Sequence, residues 1–275
     1  MKYKAKKALN NGVVLAQNEK GKECILIGKG LGFNLKENTI INDKEVLFQT
    51  FVLNEQTKNF SELIKSIDER IIPIVEEEIM YIQEDMNKSL NENIHVSLID
   101  HIAFAIDRYN KGLEFINPFN LDIRIIFAKE YMYAQRIIKR INDTFNVKLI
   151  EDETGIVAIH IHSALNNNDV AVDRKKVILI QETMNMICEE FNIEVREESL
   201  SYQRLLVHVH YAYERILQNK KIENNMMEYV FEHYSEYCQK LRNVLKKIEV
   251  SYDIEICDAE ISYLVLHLIR VLGEE

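Results

Sequence analysis

Proline is nearly absent from this chain: Pro73 and Pro118 are the only two in 275 residues. Proline breaks helix interiors, so nothing of that kind stops the body from running as helices. Glycine is scarce and uneven. Gly12, Gly21, Gly28, Gly30 and Gly32 are five of eight, all near the start. Turn-linked short strands use glycine and helices avoid it, so two architectures follow each other. The four cysteines, Cys24, Cys188, Cys238 and Cys257, form no C-x-x-C pair. That excludes an obvious zinc ribbon and fits a reducing compartment. No apolar run approaches the roughly 18 residues of a membrane span. The N-terminal lysines are not followed by a signal-peptide core. A soluble, cytoplasmic protein without membrane insertion is expected. No phosphate loop or nucleophile–base arrangement stands out, so no catalytic residue and no cofactor is assigned, and the chain is not read as an enzyme.

Acids outnumber bases, giving a net charge of −10. The excess is not uniform. Residues 1–50 carry nine lysines against five acids, a balance of +4, which leaves −14 for the rest. A small basic module on a large acidic body implies an anionic partner for the module.

What the body does have is an internal repeat. Asp100-His101-Ile102-Ala103-Phe104-Ala105-Ile106-Asp107-Arg108 has a degenerate copy in His208-Val209-His210-Tyr211-Ala212-Tyr213-Glu214-Arg215, and 208 − 101 is 107. Glu153 to His160 echoes Glu260 to His267 at the same offset. Ile137-Ile138-Lys139-Arg140-Ile141 aligns with Val244-Leu245-Lys246-Lys247-Ile248. Two copies of one domain are therefore expected, each with two histidines at equivalent places.

Within residues 1–53, Val13 to Ala16, Cys24 to Ile27 and Val46 to Val52 read as strands, with a turn over Asn18 to Lys22. A module this small is marginal alone, so a homodimer is expected. Beyond it the periodicity is helical. Ile71, Ile74, Val75, Ile79 and Ile82 share a stripe, with Glu76, Glu77 and Glu78 assigned to the opposite face. A second helix runs from about Ile94 to Tyr109 and stops near Gly112. One or two helices fill 122–145. Asp152 is a candidate N-cap for a helix through Leu165. Asn166 to Asp169 reads as an interdomain loop. The plan then repeats from about Asp173, with a last helix from about Asp258. The organisation expected is a small antiparallel β domain at 1–55, then two homologous all-α helical bundles at 66–170 and 171–275.

His95 and His233 have no echo and read as packed or solvated residues. His101, His160, His208 and His267 differ, because both positions survive in both copies. His160-x-His162 and His208-x-His210 suggest chelation, but residues i and i+2 diverge on a helix. No H-E-x-x-H pattern is present, so no metal is assigned, although a metal held between His101 and His160 on two helices stays open. The sharper reading is phosphorylation: neutral imidazole offers a lone pair near neutral pH. Phosphorylation would add about two negative charges, which alters how acidic surfaces pack.

In the basic module, Lys7, Asn10, Asn11, Gly28, Lys29 and Phe33 combine features of RNA recognition. Lysines neutralise phosphates, amides read base edges, glycine admits close approach and phenylalanine offers a stacking face.

Together LNNGVVLAQNEKGKECILIGKGLGF, SLIDHIAFAIDR, ETGIVAIHIHSAL, LVHVHYAYERI and AEISYLVLHLIRV resemble the transcriptional antiterminators of the BglG/SacY family over essentially the whole chain. HIAFAI, GLEFINPF and AIHIHSAL are most similar to its glucose-type subgroup. The resemblance implies a co-antiterminator RNA-binding domain followed by two regulation domains of the sugar phosphotransferase system (PTS). A dimer of the first would hold a leader-mRNA antiterminator hairpin that overlaps an intrinsic terminator. His101 and His160 would take phosphate from the cognate enzyme II, and His208 and His267 from HPr. The RNA contacts map onto Lys7, Asn10, Asn11, Gly28, Lys29 and Phe33. One departure is Gly12, where the family usually has a third asparagine. Some proteins with these regulatory domains are DNA-binding activators, and that is the alternative; helical DNA-binding patterning is not seen in residues 1–53.

Overall fold

The computed structural model describes residues 1–9, 13–27, 30–42, 49–52, 67–68, 70–113, 115–195, 199–220 and 222–273. The first element is a five-stranded antiparallel sheet of β1 (Lys2–Ala8), β2 (Val13–Asn18), β3 (Glu23–Ile27), β4 (Ile40–Asn42) and β5 (Gln49–Val52), in the order β4-β1-β2-β3-β5. Sequence patterning does not single out β1 and β4, because β1 is lysine-rich and β4 very short. Of the expected strand from Val46, β5 is the described part; residues 46–48 lie outside the described residues. The β2–β3 turn closes as its chemistry requires. Asn18 Oδ1 accepts from the backbone N–H of Lys20 and Lys22, and Gly21 takes φ +75°. Tyr3, Ala5, Val14, Ala16, Cys24, Leu26, Leu31 and Ile41 form the core of this sheet.

Strand alternation would turn Lys7 to the same face as Tyr3 and Ala5. A β-bulge prevents this. Ala5 pairs with Ala16, but Lys7 pairs with Leu15, so Lys6 is the extra residue. Both Lys6 and Lys7 are then exposed.

The described remainder of the chain is helical. The first repeat contains α1 (Ile71–Met86), α2 (Asn93–Asn110), α3 (Asn120–Ile126), α4 (Ala128–Phe145) and α5 (Glu151–Leu165). The second contains α6 (Val170–Phe191), α7 (Leu200–Leu217), α8 (Met227–His233), α9 (Ser235–Tyr252) and α10 (Asp258–Leu272). From α2 to α5, each helix recurs 107 residues later with identical bounds. Asparagine does much of glycine's work at helix ends. Asn87, Asn146, Asn192, Asn219 and Asp253 have φ between 48° and 54° just after α1, α4, α6, α7 and α9. A short polar side chain tolerates that left-handed C-terminal position. Gly112 at φ +67° ends α2 in the usual way.

Two local expectations need correction. Glu76 and Glu78 do not face solvent with Glu77: they are 2% and 1% exposed. Glu76 Oε2 meets His95 Nδ1 at 2.7 Å, and Glu78 is held by Arg136 at 2.8 Å and Arg140 at 2.6 Å. Partners on α2 and α4 make burial of these charges tolerable, and a stripe count cannot register partners so distant in sequence. Asp152 lies inside the first turn of α5; Ile150 holds the cap position without a side-chain bond.

The chain divides into two compact units, residues 1–117 with 129–169 and residues 118–128 with 170–275. The short helix α3 thus belongs to the second unit, where it packs on α6 and α7, whereas its repeat equivalent α8 packs on α9 and α10.

Candidate functional site: two histidine pairs

Spacing on two helices builds the first pair. On α2, His101 and Arg108 are seven residues apart, about two turns, and share a face. Glu153 and His160 have the same spacing on α5, which packs on α2. Arg108 bonds Glu153 Oε1. His101 Nε2 lies 3.2 Å from Glu153 Oε2. That is ion-pair range, yet off the direction of a linear hydrogen bond; both atoms are closed to solvent without one. The His101 and His160 rings stand 5.4 Å apart, tilted by 32°. His160 Nδ1 reaches Ser97 Oγ at 3.1 Å.

The second repeat rebuilds this on α7 and α10. Arg215 grips Glu260 in a two-point ion pair, Nε to Oε1 at 2.7 Å and the terminal nitrogen to Oε2 at 2.6 Å. The His208 and His267 rings stack, with centroids 3.4 Å apart and planes 16° apart. Arg204 replaces Ser97, and the buried Nδ1 of His267 has no partner.

Burial dominates the electrostatics of both sites. It pushes His160 down to about 3, helped by the charge of His101. It pushes His267 down to about 4, with His208, Arg270 and Arg204 contributing. His208 is lowered by burial, then by Arg215 and Arg270. Burial works against ionised Glu153, but His101 and Arg108 outweigh it and hold its carboxyl below the usual range. His160 and His267 are therefore neutral rings at cell pH, each with a lone pair on one nitrogen, the state that nucleophilic attack on phosphorus needs.

The other histidines diverge from these pairs. His162 points to α4, where Nδ1 meets Glu130 Oε1 at 3.0 Å. His210 sits edge-on to Phe127, their ring centroids 5.8 Å apart. Helical geometry thus separates each His-x-His pair, as i and i+2 should. His95 is buried against Glu76, and the exposed His233 bonds the Tyr229 carbonyl.

In the sheet domain, Lys7 is exposed and so is Phe33, at 66%, beyond the turn at Gly30. Asn10, Asn11, Gly28 and Lys29 lie outside the described residues, as does Gly12. The ends that flank them meet at one end of the sheet: Leu9 N–H donates to the Val13 carbonyl, and Val13 faces Ile27.

In the sequence Arg108, Arg215, Glu153 and Glu260 stand out only as markers of the repeat, with no role of their own. Their constant offset was the available signal. What it lacked was that Arg and Glu meet across two helices.

Comparison with known proteins agrees with this architecture. The chain matches the PRD domain twice, over residues 76–164 and 181–271, and the CAT RNA binding domain over residues 3–60. It is 29% identical to the transcription antiterminator LicT of Bacillus subtilis (strain 168), over 98% of this chain and 99% of that protein. It is 30% identical to protein GlcT of Staphylococcus aureus (strain JH9), over 97% and 95%. A crystal structure of GlcT CAT-PRDI superposes with a TM-score of 0.51 at 39% identity, covering 61% of this chain and 100% of that one. The amino-terminal match is to an RNA-binding domain, which removes the ground for the DNA-binding alternative. A CAT RNA binding domain followed by two PRD domains, together with full-length likeness to these antiterminators, places the chain in the BglG/SacY family of transcription antiterminators.

Proposed function

We propose that the protein binds an antiterminator hairpin in a leader mRNA and lets RNA polymerase pass an intrinsic terminator upstream of a sugar PTS gene, under control of histidine phosphorylation. The organisation proposed is a co-antiterminator domain at 1–55, acting as a homodimer, and regulation domains at 66–170 and 171–275. His101 and His160 accept phosphate from the enzyme II of the cognate sugar, and His208 and His267 from HPr. Lys7, Asn10, Asn11, Gly28, Lys29 and Phe33 contact the RNA. The setting is the cytoplasm, where these phosphate donors act; among the described residues no helix is long and apolar enough to cross a membrane.

The observation that carries this reading is the duplicated pairing of His101 with His160 and of His208 with His267, each beside a buried Glu held by a half-buried Arg, in a chain that opens with a lysine-bearing sheet. Conserving an ion pair and two rings across both copies favours a shared chemical task. A dianionic phosphoryl group added to a ring between packed helices changes their electrostatics.

Two measurements test it. Residues 1–55 should shift a leader hairpin in preference to scrambled RNA, and the binding should weaken steeply as salt rises from about 50 to 200 mM. Equal affinity for scrambled RNA would refute the RNA role. In a terminator–reporter strain, His101→Asp should mimic the phosphorylated, inactive state and lower read-through; unchanged read-through would refute the proposed switch at His101.

A further inference from the structure

We propose that phosphorylation at His101 takes place on Nδ1, and that Glu153 imposes this choice of nitrogen. The inference rests on the reading of His101 as a phosphate acceptor and specifies its chemistry.

The two ring nitrogens of His101 differ in surroundings. Nε2 is closed to solvent and 3.2 Å from Glu153 Oε2. Glu153 is buried, and Arg108 engages its other oxygen. His101 and Arg108 hold that carboxyl below its usual range, so it is ionised at cell pH. Among the described residues Nδ1 has no hydrogen-bond partner, and unlike Nε2 it is not closed to solvent. The side chain as a whole keeps 14% of its surface open.

Consequences follow for both ground state and product. In the neutral ring, a carboxylate beside Nε2 favours the tautomer with hydrogen there, which leaves the lone pair on Nδ1. The attacking lone pair and the open edge then coincide. The step itself balances. The Nδ1 pair forms a bond to phosphorus. The bond from phosphorus to the nitrogen or sulfur of the donor protein's phosphohistidine or phosphocysteine breaks, and its electron pair returns to the donor. The hydrogen on Nε2 stays where it is, and the positive charge gained by the ring faces Glu153. Transfer to Nε2 would instead set a phosphoryl dianion against the Glu153 carboxylate in a space closed to water, where like charges are poorly screened. Glu153 is thus a positioning residue. Arg108 keeps it charged and aimed.

The experiment uses the full-length protein phosphorylated by phosphoenolpyruvate, enzyme I, HPr and a panel of enzyme II proteins. It is stopped early at alkaline pH and read with antibodies specific for each phosphohistidine isomer and by ¹⁵N–¹H correlation of ¹⁵N-histidine-labelled protein. His101→Ala identifies the His101 signal by its loss. The Nδ1 isomer at His101 should exceed the Nε2 isomer by at least about tenfold, an easily resolved ratio. In Glu153→Gln the ratio should fall toward parity. A domain that is merely destabilised would lower total phosphate without moving the ratio. Predominant Nε2 phosphate at His101 overturns this inference and leaves the phosphorylation reading standing. An unchanged ratio in Glu153→Gln overturns the role of Glu153. No phosphate at His101 from any donor overturns the reading and the inference together.

Discussion

Asp122 offers a quantitative test of how α3 sits in the second unit. It lies in the first turn of that helix and is 5% exposed. Burial alone raises its carboxyl from 3.8 to about 6. Burial pushes up Cys188 on α6 and Tyr202 on α7, and the Asp122 charge adds to both. A rise of that size means roughly 3 kcal/mol against the ionised form at neutral pH. The first-turn position partly compensates, because the helix N-terminus favours an anion by about 0.3–1 kcal/mol. The net cost is about 2 kcal/mol. The sign follows from the folded value exceeding the unfolded one. As pH rises through 3.8 the unfolded chain releases its proton first, so the second unit loses stability until about pH 6 and regains none above. Asparagine keeps the shape and cannot ionise. Asp122→Asn should therefore stabilise the second unit by about 2 kcal/mol near pH 7.5 and by almost nothing near pH 4. With two compact units, global unfolding need not be two-state, so local amide hydrogen exchange is the better assay. Amides of α3, α6 and α7 should exchange up to about thirtyfold more slowly in the variant at the higher pH. A variant-to-wild-type ratio that does not change with pH would refute the reasoning.

Other outcomes follow from the same electrostatics. Arg215→Met strands the buried Glu260 carboxylate and should cost about 3–5 kcal/mol, read as faster amide hydrogen exchange in α7 and α10; unchanged exchange would show that the ion pair is not structural. His160 and His267 are depressed to about 3 and about 4, so their ring resonances should show no inflection between about pH 5 and 8. The matching stability term is present above 6.5 and is lost as pH falls toward those values, since the unfolded histidines take protons first. Phe33→Ala should weaken RNA binding by about 1–3 kcal/mol if the exposed ring stacks on a base, and a gel shift with unaltered affinity would exclude that contact.

Several features were legible because they depend on residues near in sequence or on a constant offset. Turn chemistry around Asn18 and Gly21 marked the β2–β3 hairpin. The sequence placed α2, α5 and the start of α10 to within two residues, and it showed the apolar stripe of α1. The offset of 107 residues points to the repeat, and with it to His101, His160, His208 and His267, whatever the packing of the helices. Other features came from contacts between distant segments. Glu76 and Glu78 looked solvent-facing by periodicity, yet their partners His95, Arg136 and Arg140 lie on other helices. Lys7 reaches solvent only because a bulge at Lys6 breaks the strand's alternation, and a bulge is set by how two strands pair.

By itself, then, the sequence determined which residues recur, which segments become helix or strand, and which imidazoles stand out as a duplicated set. Those properties follow from backbone preference and from duplication, both of which act along the chain. Only the tertiary structure decided that the histidines pair at 5.4 Å in one repeat and stack at 3.4 Å in the other, and that Glu153 sits beside one nitrogen of His101 while Glu260 is taken up by Arg215. Ångström separations between side chains on different helices are set by packing across the interface, and packing selects among rotamers that sequence spacing leaves equally open.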